Sequence, residues 1–183
     1  QILWAAAPSS PLGQEPVGLG TWVDAAAEEG ASTLSVLDGA YAPLRLEGEP
    51  SLSAAQQDQV WRLFSPNKAL GLTGVRGAYA IAPVSLKAAV LAGLQALAPS
   101  WPLGAHGVAL LEAWCQPTTQ AWLAQSLQQL RDWKTLQIAM CVELGWTVLP
   151  SVANFFTVRL PPLSAEAWTA RWQRARLQGV KVR

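Results

Sequence analysis

A chain of 183 residues and 19.6 kDa is long enough for one domain, or for one domain and part of another. A hydrophobic fraction of 51% against 14% charged residues is high for a self-contained domain, and predicts that a partner subunit or further chain covers some apolar surface. The net charge of +1 is not the strongly basic balance of a nucleic-acid-binding protein, and no apolar run approaches the ~20 residues of a membrane span.

In the first half of the chain, short apolar segments alternate with one helical pattern. We predict a helix over residues 21–29 that ends at Gly30, and strands over residues 1–7, 32–37, 56–64 and 79–82. A turn from Pro8 to Gly13 follows the first strand, and a glycine-rich run precedes the last. This alternation predicts an α/β layer with a mostly parallel sheet.

After Pro83 the pattern becomes mainly helical. Helices are predicted over residues 85–97, 105–114, 118–144 and 165–177, and strands over residues 146–149 and 154–160. The third of these helices carries apolar residues three or four apart and ends at Gly145. We therefore place a domain boundary near residue 100. The ten tryptophans lie mostly at helical spacing beside Leu and Ala, which favours core or interface positions over a stacking surface.

The cysteines and the histidine predict no metal site. Cys115 and Cys141 lie too far apart for a metal motif, and their apolar setting predicts reduced, buried thiols of a cytoplasmic protein. His106 lies in a helical Gly-Ala-His-Gly stretch, where a structural role is favoured over a catalytic one.

Polar residues follow two neighbouring predicted strands. Asp38 and Tyr41 come after one strand, Ser65 and Lys68 come after the next, and Arg76 follows eight residues later. The carboxyl ends of parallel strands gather such groups at one edge of a sheet. An amine, a carboxylate, hydroxyls and a guanidinium are what pyridoxal phosphate (PLP) requires: a Schiff-base lysine, an anion at the pyridine nitrogen, and ligands for a dianionic phosphate.

Residues 65–76, Ser-Pro-Asn-Lys-Ala-Leu-Gly-Leu-Thr-Gly-Val-Arg, resemble the Schiff-base motif of class I and II aminotransferases. The similarity is greatest to the branch that contains histidinol-phosphate aminotransferases and threonine-phosphate decarboxylases. The resemblance implies that Lys68 carries PLP, while Ser65 and Arg76 bind its phosphate.

Two upstream segments extend the resemblance. Residues 38–41, Asp-Gly-Ala-Tyr, are similar to the family's Asp-Glu-Ala-Tyr, which implies that Asp38 binds the pyridine nitrogen and Tyr41 the ring oxygen. The turn at residues 8–13 resembles the family's Pro-Asn-Asn-Pro-Thr-Gly, and Ser10 falls where an Asn bonds the ring hydroxyl. The chain departs from the family at Ser10, at Gly39 in place of Glu, and at Pro66-Asn67 beside the lysine.

Two downstream segments, residues 150–156 and 179–183, resemble small-domain motifs of the same family. The implied fold is fold type I: residues 1–99 form the C-terminal part of the PLP-binding large domain, and residues 100–183 form part of a small α+β domain. Neither the family's N-terminal phosphate turn nor its arginine for the substrate carboxylate is recognised here, so a partial chain, inactive alone, is expected.

The implied activity is amino-group transfer to or from a small amino acid or amino-phosphate, in a homodimer. Two alternatives remain open: a PLP-dependent decarboxylase of amino-acid phosphates, as in cobalamin biosynthesis, and a non-catalytic remnant that acts as an interaction module.

Overall fold

A computed structural model of the chain describes residues 1–28 and 33–180. Its main sheet contains four strands in the order β1-β2-β3-β4: β1 is Ile2–Ala6, β2 Leu34–Asp38, β3 Trp61–Phe64 and β4 Tyr79–Ile81. The first three strands are parallel, and β4 runs antiparallel to β3. The predicted α/β class with a mostly parallel sheet is therefore confirmed. The predicted helix stop at Gly30, the strand start at Ser32 and the end of the 179–183 motif lie outside the described residues.

Helix α1 (Leu19–Glu28) makes the crossover from β1 to β2. Its buried residues are Leu19, Val23 and Ala26, whose spacing of four and three places them on one helical face. Leu19 and Val23 pack with Ala7, Leu52 and Val60 into the first core cluster. This cluster fixes the ends of β1 and β2 relative to each other.

The predicted strand over residues 56–64 is wrong in its first half. Residues Ala54–Gln57 form a short helix, α2, and only Trp61–Phe64 is strand. Ser53 caps this helix: its Oγ accepts from the Gln56 N–H at 3.3 Å, and the Gln56 Oε1 accepts from the Ser53 N–H at 3.1 Å. This reciprocal capping box stabilises the helical turn over an extended conformation.

Three helices follow the main sheet, at Ala88–Leu97 (α3), Ala105–Trp114 (α4) and Pro117–Glu143 (α5). The predicted bounds of α4 are confirmed. Each end of α5 lies within one residue of its predicted bound, and α3 begins three residues later than predicted. Gly145 follows α5 with a φ of 74°, a left-handed conformation that favours glycine at the end of a helix.

Helix α5 packs against the loops that leave the main sheet. Leu123 is buried with Leu44 and Ala69 in a second core cluster, and the half-buried Tyr41 and Trp114 pack against it. Ala69 directly follows Lys68, so this cluster holds the lysine loop in place.

The last part of the chain contains an antiparallel strand pair and a helix. β5 (Thr147–Val148) pairs with β6 (Val158–Arg159), both much shorter than the predicted strands. Helix α6 is Ala165–Leu177, with the predicted bounds, and the Ser164 side chain caps it by accepting from the Ala167 N–H.

The surface corrects one prediction: Cys141 is buried as predicted, but Cys115 is exposed. Half of the tryptophans, which were predicted at core or interface positions, are exposed on this chain, and Trp101 reaches 89% exposure: Trp4, Trp101, Trp122, Trp133 and Trp172. For these five, an interface is the part of that prediction that applies. Within the described residues, no helix is both long and apolar enough to cross a membrane.

Candidate functional site

The carboxyl ends of the three parallel strands define one edge of the main sheet, called here the carboxyl edge. β1, β2 and β3 end at Ala6, Asp38 and Phe64. Because β4 is antiparallel, its first residue, Tyr79, pairs with Phe64 at the same edge. The six predicted site residues lie in segments that leave or enter this edge: Ser10, Asp38, Tyr41, Ser65, Lys68 and Arg76.

Lys68 and Tyr41 are in direct contact. The Lys68 Nζ lies 4.0 Å from the centroid of the Tyr41 ring, inside the ~6 Å range of a cation–π interaction. Both residues are half-buried. Tyr41 caps the 3₁₀ helix Ala42–Leu44 that follows β2, whereas Lys68 belongs to the loop after β3. The contact therefore joins two loops of the carboxyl edge at the predicted cofactor lysine.

Phe155 holds the Tyr41 ring from the far end of the chain. The two ring centroids are 4.7 Å apart and the ring planes are inclined by 67°, the edge-to-face arrangement that aromatic pairs favour. Sequence reasoning included Phe155 in the 150–156 motif but gave it no role. Its place in that motif was the only signal for it.

Asp38 is the last residue of β2, and its carboxylate is oriented by its own turn. The Oδ1 accepts from the Ala40 N–H at 2.9 Å. The Oδ2 makes no hydrogen bond to any residue that the structure describes. One carboxylate oxygen is therefore fixed by the backbone, and the other remains available to a ligand.

Gly39 explains one departure from the family motif. A Cβ at this position would lie 2.7 Å from the Phe64 Cε1, closer than real Cβ contacts. Phe64 in turn stacks on Tyr79, with centroids 5.3 Å apart. A glutamate at position 39 would therefore require the Phe64 ring, and with it the stacking on Tyr79, to shift.

The lysine loop is closed by local hydrogen bonds. The Ser65 Oγ donates to the Asn67 Oδ1 at 2.5 Å, and the Leu72 N–H donates to the Asn67 carbonyl at 2.8 Å. Asn67 is buried, as is Pro66. The Pro66-Asn67 pair, which the sequence marked only as a departure, therefore fixes the backbone on which Lys68 is carried.

Arg76 and Ser10 are both exposed at this edge. Within residues 1–28 and 33–180, neither side chain forms a hydrogen bond or an ion pair. The Arg76 backbone is nevertheless fixed: a Cβ on Gly107 of α4 would lie 2.5 Å from the Arg76 carbonyl oxygen, so α4 approaches it closely. The structure thus joins Lys68 to Tyr41, and the four other predicted residues, all of them described, form no hydrogen bond or ion pair with one another at this edge.

The charges at the edge favour an anionic ligand. Lys68 and Arg76 are cationic, and Asp38 is the one anion among the six predicted residues. The nearby Arg45 is paired with Glu15; burial lowers the pKa of Arg45, and Glu49 partly opposes this shift.

Within the described part of the chain, no group of three or more His, Cys, Asp or Glu side chains could hold a metal ion.

Comparison with known proteins identifies the family. A family model described as "Aminotransferase class I and II" matches residues 1–182. None of the curated proteins matches the chain.

Solved structures share the fold. The histidinol-phosphate aminotransferase from Clostridium acetobutylicum is 17% identical, with a TM-score of 0.74 over 96% of this chain and 52% of that one. The histidinol-phosphate aminotransferase from Sinorhizobium meliloti, in complex with pyridoxal-5'-phosphate, is 22% identical, with a TM-score of 0.72 over 100% of this chain and 48% of that one. A decarboxylase from Sulfurospirillum multivorans is 18% identical, with a TM-score of 0.72 over 91% of this chain and 48% of that one.

The chain spans about half the length of these structures. The fold is that of the large domain of fold-type I PLP-dependent transferases, as the sequence predicted.

Proposed function

The chain belongs to the class I and II aminotransferase family, and on this basis we propose that it forms the cofactor-binding part of a PLP-dependent aminotransferase. We infer an enzyme of the histidinol-phosphate aminotransferase type that acts on a small amino acid or amino-phosphate. The observation that supports the proposal is the place of Lys68, whose amine lies at the carboxyl edge against Tyr41.

The side chains at this edge match the functional groups of PLP. The Lys68 amine suits the aldehyde, the Asp38 carboxylate suits the pyridine nitrogen, and the Arg76 guanidinium suits the phosphate. When bound, PLP withdraws electrons from the substrate Cα so that a proton can leave it. Ser10, Tyr41 and Ser65 add hydroxyl groups in the loops of the same edge.

Lys68 has two roles in this proposal. Its Nζ would hold the cofactor by condensing with the aldehyde, with release of water, and once displaced by substrate the free amine would take up and return the proton of the substrate Cα as base and acid. The Tyr41 ring beside Nζ limits the positions that the free amine can adopt.

Asp38, Tyr41 and Ser10 would orient the cofactor ring. With its Oδ1 fixed by the Ala40 N–H, Asp38 can accept the pyridine N–H at Oδ2, and an anion there favours the protonated pyridine. The Tyr41 hydroxyl and the shorter Ser10 side chain would bind the ring oxygen.

Ser65 and Arg76 would bind the phosphate. The exposed Arg76 guanidinium can donate two parallel hydrogen bonds to phosphate oxygens. The Ser65 hydroxyl now donates to Asn67, so phosphate binding would redirect its proton to the ligand.

A decarboxylase is the second candidate function. It is supported by the structural likeness to the Sulfurospirillum decarboxylase, which has the same TM-score, 0.72, as the Sinorhizobium aminotransferase. The same cofactor residues serve both reactions. Release of CO2 from amino-acid phosphates, measured beside 2-oxoglutarate-dependent amino transfer in the complete protein, separates the two.

Covalent cofactor uptake tests the proposal. The complete protein is expected to take up PLP, to show the absorbance of a lysine-bound cofactor, and to yield a borohydride-fixed adduct on the Lys68 peptide. Lys68→Ala should lose all three signals, while Lys87→Ala, at an exposed lysine, should keep them. A complete protein that takes up no PLP would contradict the proposal and favour the non-catalytic remnant.

We further propose a homodimer. The chain exposes 12363 Å², whereas a folded monomer of 19.6 kDa exposes about 8,600 Å². The excess of about 3,800 Å² is more than one subunit of an obligate dimer buries, about 1,000–2,500 Å². A partner subunit and further chain of the same protein would therefore share it. Helix α3 is exposed along its whole length and is part of this surface.

The domain boundary near residue 100 and a cytoplasmic location remain part of the proposal. The separate β5–β6 pair supports a second unit after residue 100. The free thiols Cys115 and Cys141, one of them exposed, fit a reducing compartment.

A further inference from the structure

The Tyr41 ring has two neighbours of different kinds. Lys68 places its Nζ 4.0 Å from the ring centroid, and Phe155 places its own ring centroid at 4.7 Å, inclined by 67°. The Tyr41 hydroxyl makes no hydrogen bond to any residue that the structure describes. The ring also packs against the second core cluster, and Phe155 is the one aromatic ring among the described residues that contacts it.

Phe155 belongs to a short segment, residues 151–155, that is anchored to the turn after β1. The Val152 N–H donates to the Gly13 carbonyl at 2.7 Å. The buried Ser151 hydroxyl lies 2.5 Å from the Phe155 carbonyl oxygen, to which it donates, and accepts from the Ala153 N–H at 3.2 Å. Ser151 thus ties the backbone of Phe155 to the start of its own segment.

The same segment is anchored a second time, to the chain that follows the 3₁₀ helix. The Leu46 N–H donates to the Val152 carbonyl at 2.7 Å, and Arg45 forms an antiparallel bridge with Ala153, which is fully buried. Residues 151–155 are therefore fixed both to the turn after β1 and to the chain that directly follows the 3₁₀ helix at Tyr41. Of the residues in this segment, Phe155 is the one whose ring contacts the Tyr41 ring.

We propose that Phe155 is a positioning residue of the candidate site: it fixes the ring of Tyr41, and through that ring limits where the Lys68 amine can lie. Edge-to-face packing on Phe155 restricts rotation and tilt of the Tyr41 ring. The ammonium of Lys68 interacts with that ring by charge–quadrupole attraction, which depends on ring orientation. This inference rests on the proposed function, in which Lys68 holds the cofactor.

The test uses the complete protein, free of cofactor and labelled with ¹³C-lysine. This chain contributes four lysines, and Lys68→Arg identifies the Lys68 signal. The Lys68 Hε protons are expected upfield of those of Lys87, because the ring current of Tyr41 shields protons near its face. Phe155→Leu should move the Lys68 signal toward that of Lys87. Tyr41→Leu removes the ring and gives the Lys68 signal without any ring-current shift.

Phe156→Leu is the matched control, because Phe156 is the adjacent half-buried phenylalanine without a ring contact to Tyr41. It should leave the Lys68 signal unchanged. The amide spectrum reports whether each variant folds, and Phe155→Met replaces Phe155→Leu if the latter does not. A Phe155 variant that keeps the wild-type Lys68 shift would overturn the inference.

Cofactor binding separates this inference from the proposed function. The loss of Phe155 should raise the PLP dissociation constant roughly twofold to tenfold, the range of one aromatic pair, with Phe156→Leu unchanged. If the wild-type protein binds no PLP, the proposed function fails, while the ring-current shift still reports the positioning. If PLP binds and the Phe155 variants change neither shift nor affinity, the inference fails and the function stands.

Discussion

The Lys134 ammonium, buried in helix α5, lies 2.6 Å from the Glu47 carboxylate. It also donates to the Ser151 carbonyl oxygen. The Lys134 side chain is only 5% exposed, whereas that of Glu47 is 60% exposed. Removal of the buried Lys134 and removal of the exposed Glu47 should therefore lower the free energy of unfolding by different amounts.

Lys134→Met should destabilise the protein more than Glu47→Gln does. Methionine keeps the apolar stem but leaves the Ser151 carbonyl without its donor, which costs about 1–3 kcal/mol. At the exposed Glu47 end of the pair, water can take the place of the carboxylate beside the ammonium. Loss of the carboxylate should therefore cost less than about 1 kcal/mol. Denaturant unfolding measures both values, with Lys87→Met as a surface control. The reverse order would show that leaving the buried ammonium without its carboxylate costs more than leaving the Ser151 carbonyl without its donor.

Gly13→Ala should destabilise the protein by about 2–4 kcal/mol, from a left-handed backbone and an overpacked contact together. Gly13 has a φ of 68°, and a Cβ there would overlap the Ser151 Oγ. Gly48→Ala is the control, since its φ of 64° is similar but no atom lies within 4 Å of its Cβ position. That variant should lose only about 1–2 kcal/mol. Equal losses in urea unfolding would rule out the packing contribution.

Gly39→Ala should displace Phe64, because the new Cβ would lie 2.7 Å from the Phe64 Cε1. We expect a loss of about 1–3 kcal/mol from overpacking. Phe64→Leu in the same chain should recover part of it, and a double-mutant cycle measures the coupling. Gly74→Ala, with no atom within 4 Å of its Cβ position, should be close to neutral. Additive losses at positions 39 and 64 would contradict the predicted clash.

Arg76→Gln should weaken PLP binding and leave stability almost unchanged. Loss of a charge-assisted pair of hydrogen bonds corresponds to about 2–3 kcal/mol, or roughly a 30-fold to 150-fold rise in the dissociation constant. The exposed side chain has no partner among the described residues, so the free energy of unfolding should change by less than about 0.5 kcal/mol. Fluorescence titration with PLP measures the affinity, and Arg159→Gln serves as the exposed control. Unchanged affinity would remove Arg76 from the proposed phosphate site.

Ser164→Ala should raise the pKa of Glu166 toward its ordinary value of 4.5. Hydrogen bonds from the Ser164 side chain and then from its own backbone N–H hold the pKa of Glu166 below that value. A carboxyl group with a lowered folded-state pKa contributes stability above its unfolded pKa, and this contribution is lost as the pH falls through the folded pKa. A carboxyl ¹³C titration measures the change. Thr169→Val, in the same helix, should leave the pKa of Glu166 unchanged.

Local sequence signals were sufficient to predict the bounds of several helices. Helices α4 and α6 have their predicted bounds, because apolar spacing and the Ser164 cap act within a few residues of the helix. A capping signal is also present at Ser53 and Gln56, but the strand prediction followed the apolar run after them. Residues 56–64 were therefore predicted as strand throughout, although the capping box makes their beginning helical.

By itself, the sequence determined the family, the fold class and the chain order of the residues that suit PLP, because these depend on motifs within a dozen neighbouring residues. Only the tertiary structure decided that Phe155 packs on Tyr41 and that Lys134 is buried against Ser151. Tyr41 and Phe155 are more than a hundred residues apart. Contacts at such separations depend on how whole elements pack to bury apolar surface, and no local pattern records that packing.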